Sequence, residues 1–278
     1  MAIKLSRGGR VRINSFSIDG DSIEFLGNPA GSMDVKFNRV ARMGQRYDII
    51  IADLKSIINK ESKKPPVSQR YSQAVALLVL ANTGIRVGNE DSAEGYVSDL
   101  EYSDSYGKTV QTFGLTTIKQ EHVRTRKGIV SFDFLGKKQV ENTFKLSGEL
   151  SKLVIPILES NYDPVFKTSE AEFTRFVKKE SSPYFSTKDF RTFRANVFAY
   201  KIAKTKSKPT TKKEWKETVK ECCEYVSGFL NNTYQVVKTS YVDPELWNHI
   251  FGNPDELTNK KESKKLGGTL TLKRINNG

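Results

Sequence analysis

Residues Ser68–Gly84 read SQRYSQAVALLVLANTG, with Ala74, Val75, Leu77, Leu78 and Ala81 spread around nearly the whole circumference of a helix. A helix apolar on all sides is a buried one, so the spacing predicts a buried helix from about Ser68. Gly84 is placed to end it, because glycine takes the left-handed conformation without steric cost. Just upstream, Tyr47, Ile50, Ile51, Leu54, Ile57 and Ile58 recur at helical spacing until the basic, proline-containing stretch Lys60–Pro66 stops them.

On the N-terminal side, residues 1 to about 38 hold short alternating runs, Val11 to Ile18 and Ser22 to Leu26, separated by Asp19-Gly20-Asp21 and Asn28-Pro29. These predict small strands and turns in a piece too short for a large core of its own. On the C-terminal side, Glu94 to Phe113 is rich in Ser, Asp, Gly and Tyr without periodicity and reads as a surface loop. Gly114–Val123, Ile129–Phe134 and Val140–Leu146 predict a three-stranded antiparallel unit, with turns at Arg126-Lys127-Gly128 and Gly136-Lys137-Lys138 that put Lys137 at a hairpin tip. The remainder predicts helices: Ser147 to Leu158, one opening at the capping box Ser169-Glu170-Ala171-Glu172, Lys188 to Lys204, one from Thr211 to about Asn231-Asn232, and a last one from Asp243-Pro244. The tail Asn259–Gly278 is Lys- and Gly-rich and reads as mobile, with Thr269–Leu272 a candidate strand.

The chain has 278 residues, which suits one main core with a smaller appendage. Its 45 Lys and Arg against 32 Asp and Glu give a net charge of +13, and a polyanion gains from counterion release on such a surface. Nucleic acid is the leading partner; a lysine-rich surface that merely keeps the protein soluble is the alternative, and charge does not choose between them. The only cysteines, Cys222 and Cys223, are adjacent, and the only histidines are His122 and His249, so neither a disulfide framework nor a Cys- or His-based metal site is expected. Met1–Arg7 lacks an apolar signal stretch and no run has the length of a membrane span, so a cytoplasmic location is expected, with no membrane partner.

Four residues have the chemistry for phosphodiester displacement. Two guanidiniums, Arg86 and Arg191, can clamp a phosphate and stabilise the charge on its non-bridging oxygens. Lys137 on a hairpin can protonate a departing alkoxide, and Tyr241 can act as nucleophile once deprotonated. Each also has an ordinary structural reading: Arg86 capping free carbonyls, Lys137 solvated, Arg191 paired with Asp189 or Glu180, Tyr241 half-buried.

Five local strings single these residues out. They are Thr83-Gly84-Ile85-Arg86-Val87-Gly88-Asn89-Glu90, Gly114 to Val123, Phe132-Asp133-Phe134-Leu135-Gly136-Lys137, Lys188-Asp189-Phe190-Arg191-Thr192-Phe193 and Lys238-Thr239-Ser240-Tyr241-Val242-Asp243-Pro244. In this order, over about Tyr47 to Phe251, they resemble the type IB DNA topoisomerases of the poxvirus and bacterial type. Many members carry histidine nine residues before the tyrosine; this chain has Asn232, within Leu230-Asn231-Asn232-Thr233-Tyr234, similar to the Leu-Gly-Asn-Thr-Pro of bacterial members but without its Gly and Pro. An amide donates to a phosphate oxygen without exchanging protons near neutral pH, which gives Asn232 a stabilising role; the ordinary alternative is a left-handed helix cap.

The resemblance implies an α+β protein, with a small β-containing part over residues 1–45 and a mostly α-helical catalytic domain over residues 46–278 bearing the three-stranded sheet. It implies relaxation of positive and negative supercoils through a 3′-phosphotyrosyl intermediate on Tyr241, with Arg86, Lys137, Arg191 and Asn232 assisting. It further implies double-stranded DNA as the partner, action as a monomer, and no need for a cofactor or a metal. Lys188 matches a family lysine near the scissile phosphate, and Lys119, Arg124 and Arg126 lie on or beside the sheet as candidate DNA-backbone contacts. A site-specific tyrosine recombinase is the alternative, although its second motif normally reads His-x-x-Arg where this chain has Lys188-Asp189-Phe190-Arg191. A non-catalytic basic DNA-binding protein is the third expectation.

Overall fold

The computed structural model describes residues 32–95 and 110–257 and, among residues 11–27, the backbone of four short strands. Those strands form two antiparallel pairs, β1 (Val11–Arg12) with β4 (Leu26–Gly27) and β2 (Phe16–Ile18) with β3 (Asp21–Ile23). The candidate strand Thr269–Leu272, the basic tail and most of the Glu94–Phe113 loop lie outside the described residues.

Helix α1 spans Ser32–Lys60, beginning well before the Tyr47 start that periodicity predicts. Phe37, Val40, Ala41 and Met43 continue the buried stripe of Tyr47, Ile50 and Leu54. Gly44 interrupts that stripe in the sequence, but one glycine costs a helix only about 1 kcal/mol, which packing along the stripe outweighs. The boundary drawn at residue 45 therefore lies within a continuous helix, and Val40 and Met43 before it share a core with Tyr47 and Ile50 after it.

Helix α2 (Gln69–Thr83) is the buried helix of the opening stretch. Its N-terminus is closed by Ser68, which accepts from the Tyr71 N–H, and its C-terminus by Gly84 in the left-handed conformation at φ 64°. Every residue from Tyr71 to Ala81 is buried. A short α3 (Glu90–Glu94) follows.

Residues 114–118 do not form the first strand of the expected sheet. They turn, Gln120–His122 makes one 3-10 turn, and β5 is only Val123–Arg126. The cause is tertiary: a Cβ on Gly114 would lie 2.4 Å from the Gly88 nitrogen. The Leu115 and Thr116 N–H groups donate to the Arg86 and Val87 carbonyls, 2.8 Å each, and not to a sheet neighbour. The sheet is otherwise as expected, in the order β5–β6–β7, with β6 Ile129–Gly136 and β7 Val140–Leu146.

The helices after the sheet are α4 (Gly148–Glu159), α5 (Glu170–Glu180), α6 (Thr187–Lys204), α7 (Lys212–Leu230), α8 (Tyr234–Ser240) and α9 (Pro244–Phe251). The capping box Ser169–Glu172 opens α5, and Asp243 caps α9 with Pro244 in its first turn. Periodicity did not predict the two-turn α8. The protein is α+β, mostly helical around one small antiparallel sheet. None of the described helices is long and apolar enough to cross a membrane.

Helix α2 sits among α1, α4, α5 and α6. Two apolar clusters result: a large one joining α1, α2, the sheet, α4, α5 and one face of α6 (Phe190, Phe193, Val197), and a smaller one joining another face of α6 (Ala195, Ala199, Ala203) to α7, α8 and α9. Leu77, fully buried in α2, reports on the large core. Leu77→Ala is expected to lower unfolding stability by about 2–5 kcal/mol, read as a lower urea midpoint at unchanged slope; a loss well under 1 kcal/mol would contradict the central placement of α2.

Candidate active site

The site forms on the seam between the two clusters, where α2 and α7 end and α6 begins. Both α2 and α7 stop at left-handed residues, Gly84 and Asn231. The left-handed cap is therefore Asn231, at φ 48°, which leaves the side chain of Asn232 free for other work.

Arg191 enters between these two helix ends and is 5% exposed. Its Nη1 donates to the Gly84 carbonyl and its Nη2 to the Leu230 carbonyl at 2.5 Å. C-terminal carbonyls of helices carry partial negative charge, so a guanidinium is the fitting partner. Neither structural pairing open to Arg191 is used, because Asp189 is held by Arg39 at 3.2 Å and Glu180 by Arg70 at 3.2 Å. Asp189 also accepts from the Ser186 N–H and hydroxyl, closing the first turn of α6.

Arg86 follows the Gly84 cap on a segment fixed by its pairing with Leu115 and Thr116. Its Nη2 donates to Asn232 Oδ1 at 2.5 Å. Arginine can only donate, so the Asn232 atom facing it is the carbonyl oxygen and the NH₂ group faces elsewhere. That Nδ2, like Arg191 Nε, is buried and has no hydrogen-bond partner. Two orphaned donors in one place are costly unless a ligand takes them up.

Tyr241 caps the end of α8 and is 6% exposed. Its ring lies under the Arg191 guanidinium, 5.3 Å from carbon to centroid. Burial alone would push the phenol up, but Arg191, Arg86 and Lys188 outweigh it, and the phenol titrates below its ordinary value. Burial lowers the Arg191 pKa, opposed by the Tyr241 phenolate. The backbone around the tyrosine is gripped by Asn196 of α6, fully buried, whose Nδ2 donates to the Tyr241 carbonyl and whose Oδ1 accepts the Asp243 N–H, 2.8 Å each.

The structure thus brings together Arg86, Arg191, Asn232 and Tyr241, with Lys188 exposed on the first turn of α6. Lys137 lies exposed at the β6–β7 tip, where Lys138 and Gln139 take positive φ of 65° and 57°. It touches none of the four, but its hairpin is tied to them: Asn231 Nδ2 donates to Asn142 Oδ1 on β7 at 2.9 Å. Arg124 and Arg126 are exposed on edge strand β5. Lys119 stands apart from the four, lining a separate cavity of about 610 Å³ with Glu90, Glu94, Asp163 and Glu172. His122 is structural, its ring 4.3 Å from that of Phe113. Burial pushes the Cys222 and Cys223 thiols up to about 11 and about 12, so neither is a thiolate near neutral pH. Among the described residues, no group of three or more His, Cys, Asp or Glu side chains could hold a metal ion.

Two site residues escaped the sequence motifs. Asn196 carried one usable signal, a lone amide beside the helically spaced apolar residues Phe190, Phe193, Ala195, Val197 and Ala199. Lys36, on α1, places its Nζ 5.5 Å from the Tyr241 ring centroid and carried none. A difference titration of tyrosinate absorbance between the protein and Tyr241→Phe is expected to isolate one phenol that ionises below the other tyrosines; a Tyr241 component titrating above them would contradict the cationic environment.

The sequence of residues 31–264 matches the family model described as the catalytic core of eukaryotic DNA topoisomerase I. The chain is 22% identical over 232 residues to the DNA topoisomerase 1B of Acanthamoeba polyphaga mimivirus, covering 76% of this chain and 63% of that protein. It is 26% identical over 225 residues to the DNA topoisomerase 1B of Vaccinia virus (strain Copenhagen), covering 76% and 65%. The DNA topoisomerase I of Monkeypox virus is 25% identical over the same length. The chain therefore spans 63–65% of the length of these relatives.

Proposed function

The chain belongs to the type IB DNA topoisomerases, and we propose that it relaxes positive and negative supercoils in duplex DNA by cutting and resealing one strand through a 3′-phosphotyrosine. One observation carries this: two buried donors without partners, Nδ2 of Asn232, whose oxygen accepts from Arg86, and Nε of Arg191, whose guanidinium lies over the Tyr241 ring. A phosphodiester brings the acceptor oxygens those donors lack, and it gains charge on them during displacement.

In the forward step the Tyr241 oxygen forms a bond to phosphorus and the bond from phosphorus to the 5′-oxygen breaks. The phenol's proton leaves to solvent, aided by the cations around it. Lys137, carried in on its hairpin, gives a proton to the departing 5′-oxygen. Arg86, Arg191 and Asn232 hold the non-bridging oxygens, and Lys188 contacts the neighbouring backbone. Arg124 and Arg126 of β5 add backbone contacts, and Lys119 does so from beside the sheet. The freed end rotates, then its 5′-hydroxyl attacks the phosphotyrosine and regenerates the strand. The energy of the cut bond is kept in the phosphotyrosine, so resealing draws on no nucleotide, and one copy of the chain suffices. The matches to topoisomerases, and Lys188 where the recombinase motif has histidine, do not favour the recombinase alternative.

Supercoiled plasmid incubated with the protein in EDTA without ATP is expected to relax, and Tyr241→Phe to abolish relaxation; binding without relaxation would overturn the proposal. Arg191→Lys is expected to slow strand cleavage by about 10²–10³-fold, because one ammonium cannot grip both helix ends and still present a donor. Lys137→Ala is expected to slow cleavage of ordinary DNA by about 10²-fold or more. It should leave cleavage nearly unaffected when the bridging 5′-oxygen is replaced by sulfur, which needs no proton to depart. Equal slowing on both substrates would remove the general-acid role.

A further inference from the structure

Lys36 stands against the candidate nucleophile without belonging to any motif that identified the site. It is half-buried on the early turns of α1, with Nζ 4.9 Å from the centroid of the Phe37 ring and 5.5 Å from that of Tyr241. A lysine that merely solvates a surface turns its ammonium outward; this one holds it over two aromatic rings. The carboxylates that face it are engaged elsewhere. Asp189 of α6 is bound by Arg39 and Ser186, and Asp243 accepts the Glu245 N–H at the start of α9.

The same surroundings disfavour its charge. Burial, then Lys188 of α6, then Arg39 on its own helix pull Lys36 down to about 8, against Asp189 and Asp243, which raise it. An ammonium kept at such a position is compensated by what it contacts, and a cation over an aromatic face is attracted by the ring. The attraction grows when negative charge develops on the phenol oxygen, by Coulomb's law.

We propose that Lys36 is a positioning residue for the nucleophile: together with Arg191 it holds the Tyr241 ring in place and stabilises the charge on the phenol oxygen as its bond to phosphorus forms or breaks. This rests on the topoisomerase function proposed above. Cleavage and religation cross the same transition state, and the Tyr241 ring that Lys36 contacts is present on both sides of it, so stabilisation of the charge that develops between them changes both rates by one factor and leaves their ratio unchanged. β4 lies against both α1, which carries Lys36, and α9.

The test is single-turnover cleavage of duplex DNA at saturating protein, and religation from the isolated covalent complex, for the wild-type protein, Lys36→Gln and Lys36→Arg, with melting temperatures measured alongside. Lys36→Gln is expected to slow both steps by about tenfold, Lys36→Arg to stay within about threefold of wild type, and the three melting temperatures to agree. Unchanged rates at saturation for Lys36→Gln, with only weaker DNA binding, would overturn the inference and leave Lys36 a backbone contact. A change confined to one direction, or Lys36→Arg as slow as Lys36→Gln, would overturn it as well. A wild-type protein that forms no covalent complex would instead remove the topoisomerase proposal itself, a result distinct from an active Lys36→Gln.

Discussion

The site hangs on one guanidinium placed between two helix ends. Arg191 of α6 donates to the Gly84 carbonyl at the close of α2 and to the Leu230 carbonyl at the close of α7. Both helices stop at a left-handed residue, so the chain leaves each end abruptly after the gripped carbonyl. Arg86 lies two residues beyond Gly84 and Asn232 two beyond Leu230, and these two meet at 2.5 Å. A single side chain thereby sets the mutual position of three helix termini and of the groups they deliver. Its planar fork is what permits this, because an ammonium has no fixed pair of parallel donors. With both Nη groups committed to structure, Nε is left over for a ligand.

Helix α6 is the element through which everything else is adjusted. Its first turn is fixed by the Ser186–Asp189 capping box and by the Arg39–Asp189 pair, which ties it to α1. Further along, Asn196 grips the backbone on both sides of Val242 and so holds Tyr241 relative to Arg191. A buried amide with both its ends satisfied is a rigid joint, since losing either partner would strand a polar group in the core. The phenol oxygen is thus presented to cations whose own positions derive from the same helix.

Much of this was legible in the sequence where the signal was local. The buried α2 and its Gly84 stop, the capping box of α5 and the Asp243-Pro244 start of α9 need only spacing and turn chemistry, and they stand where those predict. The start of α1 was obscured by Gly44, although Phe37, Val40 and Ala41 already kept the helical stripe. Leu115, Thr116, Thr117 and Ile118 favour a strand in isolation; the close approach of Gly114 to Gly88 that prevents it joins two segments distant in the sequence. The site residues emerged only from the motif strings, since nothing in spacing relates Arg86 to Asn232. Asn196 and Lys36 lay outside those strings, and their roles exist only once α1, α6 and α8 are packed together.

The central claim is that Tyr241 makes and breaks a bond to DNA phosphorus. The most direct measurement is to stop the reaction with detergent on a duplex labelled at either end of the cut strand, digest the trapped protein and locate the nucleotide adduct by mass spectrometry. The account predicts that the fragment 5′ to the break stays on the protein through its 3′-phosphate, on the peptide containing Tyr241 and nowhere else. An adduct on another residue, linkage through a 5′-phosphate, or no adduct on DNA that the protein demonstrably binds would contradict it.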